Sequence, residues 1–78
     1  MGFEEQPDAP ARVTFAGNVR RVRKEQHITQ ETLAERSGLH RTFVSSVERG
    51  ERNISVDNME RVAHALRTTV AILVTPLP

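Results

Sequence analysis

Four residues at fixed offsets constrain this chain more than any other feature of it. Ala34, Gly38, Val44 and Val47 stand at positions 5, 9, 15 and 18 of a unit that begins at Gln30. Two helices crossing at roughly 90–120° through a three- or four-residue turn need that spacing. Position 5 must be small because the second helix passes over it. Position 9 must accept a positive φ, which glycine does without steric penalty. Positions 15 and 18 must be apolar to lock the second helix to a core. The pattern predicts a helix over 30–37, a left-handed stop at Gly38, and a second helix over 41–49 ended by Gly50.

Helical spacing also governs the flanks. Phe15, Ala16, Val19 and Val22 make one apolar stripe, predicting a first helix from Phe15 to Gln26. Thr29 suits the N-cap of the 30–37 helix, with Glu31 in its first turn. Ser55 and Asp57 open a fourth helix buried through Met59, Val62, Ala63 and Leu66. Thr69 can cap a last short helix at 70–74, closed by Pro76. "TTVAILV" is nevertheless rich in β-branched residues, and a strand there stays open as the alternative. Pro7 and Pro10 oppose regular structure, so residues 1–12 read as a loose arm and 13–78 as the folded domain. The fold class is all-α, a compact four- to five-helix bundle.

With 78 residues there is material for one domain. Domains of this size bury only about 60% of their unfolded surface, and oligomerisation is a common source of extra burial. There is no cysteine, which excludes disulfides and thiolate zinc sites and suits a reducing compartment. The opening "MGFEEQPDAP" is acidic and resembles no secretory signal. The longest apolar run, "VAILV", is far too short to cross a bilayer. These features predict a soluble cytoplasmic protein with no membrane partner. The net charge of +1 conceals an asymmetry, because residues 1–10 hold three acids and no base. Residues 11–78 carry all eleven bases against seven acids, and ten of those bases are arginine. Arginine's planar fork suits phosphates and guanine edges.

On a helical wheel, Val44, Val47 and Glu48 share one side of the 41–49 helix. Thr42, Ser45, Ser46 and Arg49 lie opposite, and Arg41 projects from the first turn. Short side chains let a helix approach a surface closely, and arginine supplies donors, which is what a major-groove helix needs. A solvated amphipathic helix would present the same stripe. The upstream spacing favours a helix-turn-helix whose second helix faces DNA.

The stretch "NVRRVRKEQHITQETLAERSGLHRTFVSSVERGERNISVDNMERVAHAL" resembles the Cro/C1-type (XRE) helix-turn-helix family, with "TQETLAERSGL", "SSVERG" and "RN" the most diagnostic parts. The likeness covers about residues 15–74, and "GLHRTFVSSVERGERNIS" most resembles the controller proteins of restriction–modification systems. The resemblance implies a lambda-repressor-like DNA-binding domain. It implies base contacts from Arg41, Thr42, Ser45 and Ser46, and phosphate contacts from Gln30, Arg49, Arg52 and Asn53. Phe43 lies between the faces, where it would pack or touch a thymine methyl. Ile54 stands where the family often has proline and Arg67 where it often has glycine, so two connections are expected to differ in shape. His40 occupies the usual N-cap of the recognition helix, where serine or aspartate caps better, and is expected on a phosphate instead.

Two further expectations concern packing. Glu48 points inward with Val44 and Val47, and Arg23 shares the inner face of the first helix, so the two should pair across the core. "VAILV" is apolar on every side. Leu73 and Val70 should face inward and leave Ile72 and Val74 exposed for a homodimer on double-stranded operator DNA.

Other function classes have little in their favour. His27, His40 and His64 lack metal-ligand spacing, and Ser45 and Ser46 have no base at a motif-like distance. No cofactor, metal or small-molecule ligand is expected, and no enzyme activity. With no tyrosine or tryptophan, base stacking on RNA is poorly served. The competing reading is an antitoxin-like or adaptor module on the same fold, which would show little DNA binding.

Overall fold

The structure, a computed structural model, describes residues 11–77. Five helices follow one another: α1 (Ala11–Glu25), α2 (Gln30–Ser37), α3 (Arg41–Glu48), α4 (Val56–Ala65) and α5 (Val70–Leu73). No strand occurs among the described residues. Of the arm expected over 1–12, residues 1–10 lie outside the described part. Ala11 and Arg12 already belong to α1, which starts four residues before the Phe15 expected from the apolar stripe. The apolar stripe marks only the part of the helix that meets the core, and the first turn carries exposed Ala11, Arg12 and Val13.

Each later helix starts on a side-chain cap. Thr29 Oγ1 accepts from the Thr32 amide at 3.0 Å, Ser55 Oγ from Asn58 at 3.1 Å, and Thr69 Oγ1 from Ile72 at 3.2 Å. These oxygens satisfy amides that have no partner inside the helix. The stops follow one design. Gly38 takes φ 74°, with its amide on Glu35 O and that of Leu39 on Ala34 O. Gly50 repeats this at φ 73°, and the Glu51 amide reaches back to Ser46 O. Both are paired-bond left-handed stops, which glycine adopts at no steric cost.

Two other helices end the same way without glycine. His27 (φ 57°) closes α1 and Arg67 (φ 58°) closes α4. The Thr68 amide reaches Ala63 O at 2.9 Å, so the turn at Arg67 keeps the left-handed shape that glycine would supply. The expected change of shape is absent at this turn, because Arg67 bears the cost of the strained backbone instead.

Phe15, Val19, Leu33, Val44, Val47, Val62, Leu66 and Leu73 form the buried centre. α2 packs on α3 and α4, α1 on α3 and α5, and α4 on α5. Segment 70–73 is helical rather than extended. A strand needs a partner edge, whereas here Thr69 caps a single turn and Leu73, fully buried, fills the gap between α1 and α4.

Asn18 is a buried polar residue that patterning overlooked. It is 5% exposed on the core side of α1, and its Nδ2 donates to Leu73 O at 2.8 Å and Thr75 O at 2.9 Å. These carbonyls lie at the end of α5, where intrahelical donors run out. A lone asparagine three residues after Phe15, on an otherwise apolar stripe, was the available signal.

Candidate nucleic-acid interface

The crossing of α2 and α3 depends on Ala34, 6% exposed beneath α3, and on the sharp turn at Gly38. His40 then caps α3. The Thr42 amide donates to its Nδ1 at 3.4 Å, so the imidazole does the work expected of serine or aspartate. The ring is exposed, and with Nδ1 accepting from the helix its proton sits on Nε2, the donor that a phosphate contact uses.

Behind α3 a polar lock sets its distance from α1 and α2. Arg23 Nε donates to Glu48 Oε2 at 2.6 Å and Arg23 Nη2 to Glu48 Oε1 at 2.9 Å. The remaining Arg23 nitrogen, Nη1, reaches Ile28 O at 2.9 Å. The two side chains are 11% and 3% exposed, so the structure brings this expected pair together deep in the fold. The hydrogen bonds to Glu48 raise Arg23 above the ordinary guanidinium pKa, against the opposing effect of burial. Gln30 joins the same lock, with Nε2 donating to Glu48 Oε1 at 3.0 Å. Half-buried, Gln30 is drawn inward to this carboxylate, and one of its amide hydrogens is unavailable to a phosphate.

The outward side of α3 differs from the helical wheel in one respect. Arg41 and Thr42 are exposed and Ser45 is half-buried with its hydroxyl accepting from Arg49 Nη1. Ser46 is not available for base reading. It is 7% exposed, its Oγ donates to Phe43 O at 2.8 Å, and it accepts from Arg52 Nε at 3.2 Å. The chain reverses at Gly50 and lays Arg52 back over the end of α3, with its guanidinium 5.3 Å from the Phe43 ring centre. A wheel treats the helix in isolation and cannot register that cover. Phe43 is half-buried against the core and lies under Arg52.

The basic residues after α3 are partly self-engaged. Arg49 also donates through Nε to Glu51 at 3.0 Å, and both side chains are more than half exposed. Asn53 Oδ1 accepts from Arg12 Nη1 at 3.3 Å. Arg12, on the first turn of α1, is thus placed beside the loop of expected phosphate contacts. Patterning missed it because it precedes the apolar stripe.

On α5, Ile72 is 54% exposed while Leu73 beside it is fully buried. Val74, expected in the same open patch, is half-buried and packs on the core beside Phe15, Ile54 and Met59. The Val74 amide still donates to Val70 O at 2.9 Å, and its side chain lines the same hollow as Ala11, Arg12 and Phe15 of α1. Among the described residues, no His, Cys, Asp and Glu side chains gather in a group that could hold a metal ion, and no helix is long and apolar enough to cross a membrane.

Comparison with known proteins agrees with this geometry. The helix-turn-helix family matches residues 19–73. Over 61 residues the chain is 50% identical to control protein C.SmaI of Serratia marcescens, spanning 78% of this chain and 73% of that one. The crystal structure of the restriction–modification controller protein C.AhdI from Aeromonas hydrophila superposes with a TM-score of 0.77 at 42% identity, over 80% of this chain and 94% of that one. The controller protein C.Esp1396I, solved as a tetramer with its natural 35 base-pair operator, is 28% identical with a TM-score of 0.75, over 81% of this chain and 83% of that one. With its turn at Gly38, its exposed Arg41 and its arginine-rich loop after α3, the chain belongs to the Cro/C1-type (XRE) helix-turn-helix family of transcription regulators, which includes the restriction–modification controller proteins.

Proposed function

We propose that this protein is a homodimeric regulator of transcription that places α3 in the major groove of operator DNA and controls a restriction–modification operon. The supporting observation is the outer side of α3, where exposed Arg41 and Thr42 stand ahead of a loop carrying Arg49, Arg52 and Asn53. Arg41 reads a guanine through O6 and N7, and Thr42 and Ser45 reach neighbouring base edges. Arg49, Arg52 and Asn53 hold phosphates, joined by Arg12, and these contacts carry no direct sequence information. Gln30 serves phosphate binding through its free amide hydrogen while anchoring the helix pair through Glu48.

Two copies meet through α5, with exposed Ile72 at the centre of the contact and Val74 at its edge. A two-fold dimer then presents its recognition helices about 34 Å apart, one turn of DNA. The protein works in the cytoplasm, carries out no catalysis and needs no cofactor. Likeness to controller proteins, one of them solved on its operator, supports the regulatory assignment. The test is footprinting on the DNA upstream of the protein's own gene. Protection of two half-sites about one helical turn apart is expected. Equal, diffuse binding to that DNA and to random DNA would overturn the reading.

A further inference from the structure

α5 has only four residues, too short to hold its own shape, yet it carries the exposed Ile72. An isolated turn is far below the length at which a helix persists in water. Three things hold it in place. Thr69 caps its start, Leu73 is fully buried beneath it, and Asn18 takes up its end. Only the last comes from another helix and acts through directed bonds. Both hydrogens of the Asn18 amide are spent on the end of α5 and the turn after it, at Leu73 O and Thr75 O.

The amide could satisfy those carbonyls only in one orientation, and its surroundings select it. Arg21 Nη2 approaches Asn18 Oδ1 at 3.5 Å, and Arg21 Nη1 donates to Glu25 Oε2 at 3.1 Å. A donor therefore lies on the oxygen side of Asn18 and two acceptors on its nitrogen side. The polar series Glu25–Arg21–Asn18 runs along α1 and ends on the tip of α5.

We propose that Asn18 is a positioning residue for self-association, fixing α5 in the docked geometry that presents Ile72 to a second copy. This inference rests on the dimer proposed above. Asn18 touches the partner nowhere in this scheme; it sets the fraction f of each chain whose α5 is docked. Because both chains must be competent, the apparent dimer dissociation constant scales as 1/f². A fall in f from near one to about one third raises that constant about tenfold, although each chain loses little structure.

The test uses sedimentation equilibrium on the full chain with wild type, Asn18→Ala and Asn18→Asp. Asn18→Asp sets a carboxylate against two carbonyl oxygens and should be the more severe. Val44→Ala provides the control, since it weakens the core on α3, which lies away from α5. Both Asn18 variants are expected to raise the dimer constant by about tenfold or more, and Val44→Ala by less than twofold when compared well below each melting temperature. Amide exchange at Leu73 and Val74 should quicken in the Asn18 variants, while exchange in the centre of α2 holds. A wild type that stays monomeric at tens of micromolar overturns the dimer reading and the inference with it. A dimeric wild type whose constant is unchanged in Asn18→Ala, or changed no more than in Val44→Ala, overturns the inference alone.

Discussion

Replacing Glu48 by glutamine tests the centre of the fold with a change of very few atoms. The carboxylate accepts three hydrogen bonds, at 2.6, 2.9 and 3.0 Å, from Arg23 and Gln30. In the variant, an NH2 group replaces one of the two oxygens and confronts donors, and the guanidinium loses its counter-charge. Removing one partner of a buried pair costs about 3–5 kcal/mol. Arg23 retains 11% side-chain exposure and its bond to Ile28 O, so the low end, about 3 kcal/mol, applies. A domain of this size has on the order of 4–12 kcal/mol in total, so the variant still folds, with roughly 1–9 kcal/mol left. Thermal unfolding followed by circular dichroism should move down by roughly 12–24 °C at matched protein concentration.

The pH range of the assay matters little for Arg23. Its folded pKa is raised, so its stabilisation is complete below the ordinary guanidinium value and is lost only as pH rises through the folded one. Replacing both members of the pair by methionine should recover most of the loss, because the uncompensated charge disappears with its partner. A Glu48→Gln protein that melts within about 2 °C of wild type, equivalent to under about 0.5 kcal/mol, would refute the reasoning.

Four other outcomes are expected. Arg41→Ala should cost about 1–3 kcal/mol on the operator and relax preference at one position per half-site; equal weakening on random DNA in a binding titration would make Arg41 a phosphate contact. Ser46→Ala should leave base preference unchanged in a site-selection assay and lower stability by about 1 kcal/mol, since its hydroxyl serves Phe43 O and Arg52. Glu51→Gln frees Arg49 and removes a negative charge beside the phosphates, so the salt slope on random DNA should steepen, by up to about one unit per subunit. An unchanged slope would mean that Glu51 does not hold Arg49 away from the phosphates in the wild type. Arg67→Gly should stabilise by up to about 1 kcal/mol in urea unfolding, because relief of the positive φ outweighs glycine's greater freedom in the unfolded chain.

What the linear sequence determined by itself was the local and periodic part of this protein. Caps at Thr29, Ser55 and Thr69, stops at Gly38 and Gly50, and the offsets of Ala34, Val44 and Val47 all depend on neighbours within about one turn or on a single crossing. The inward pairing of Arg23 with Glu48 was legible for the same reason, since each lies on an apolar face where an unpaired charge is costly. Tertiary structure decided everything that needed a third segment. Ser46 left the DNA-facing side only because the loop after Gly50 returns Arg52 across it. Gln30 turned inward because two other helices bring Glu48 to its amide. The β-branched run at 70–73 became a helix because α1 and α4 leave a pocket for Leu73, and Asn18, 55 positions earlier, supplies donors for the last carbonyls. Periodicity describes one helix against an average interior; it carries no record of which distant side chain will arrive to cover a hydroxyl or satisfy a carbonyl.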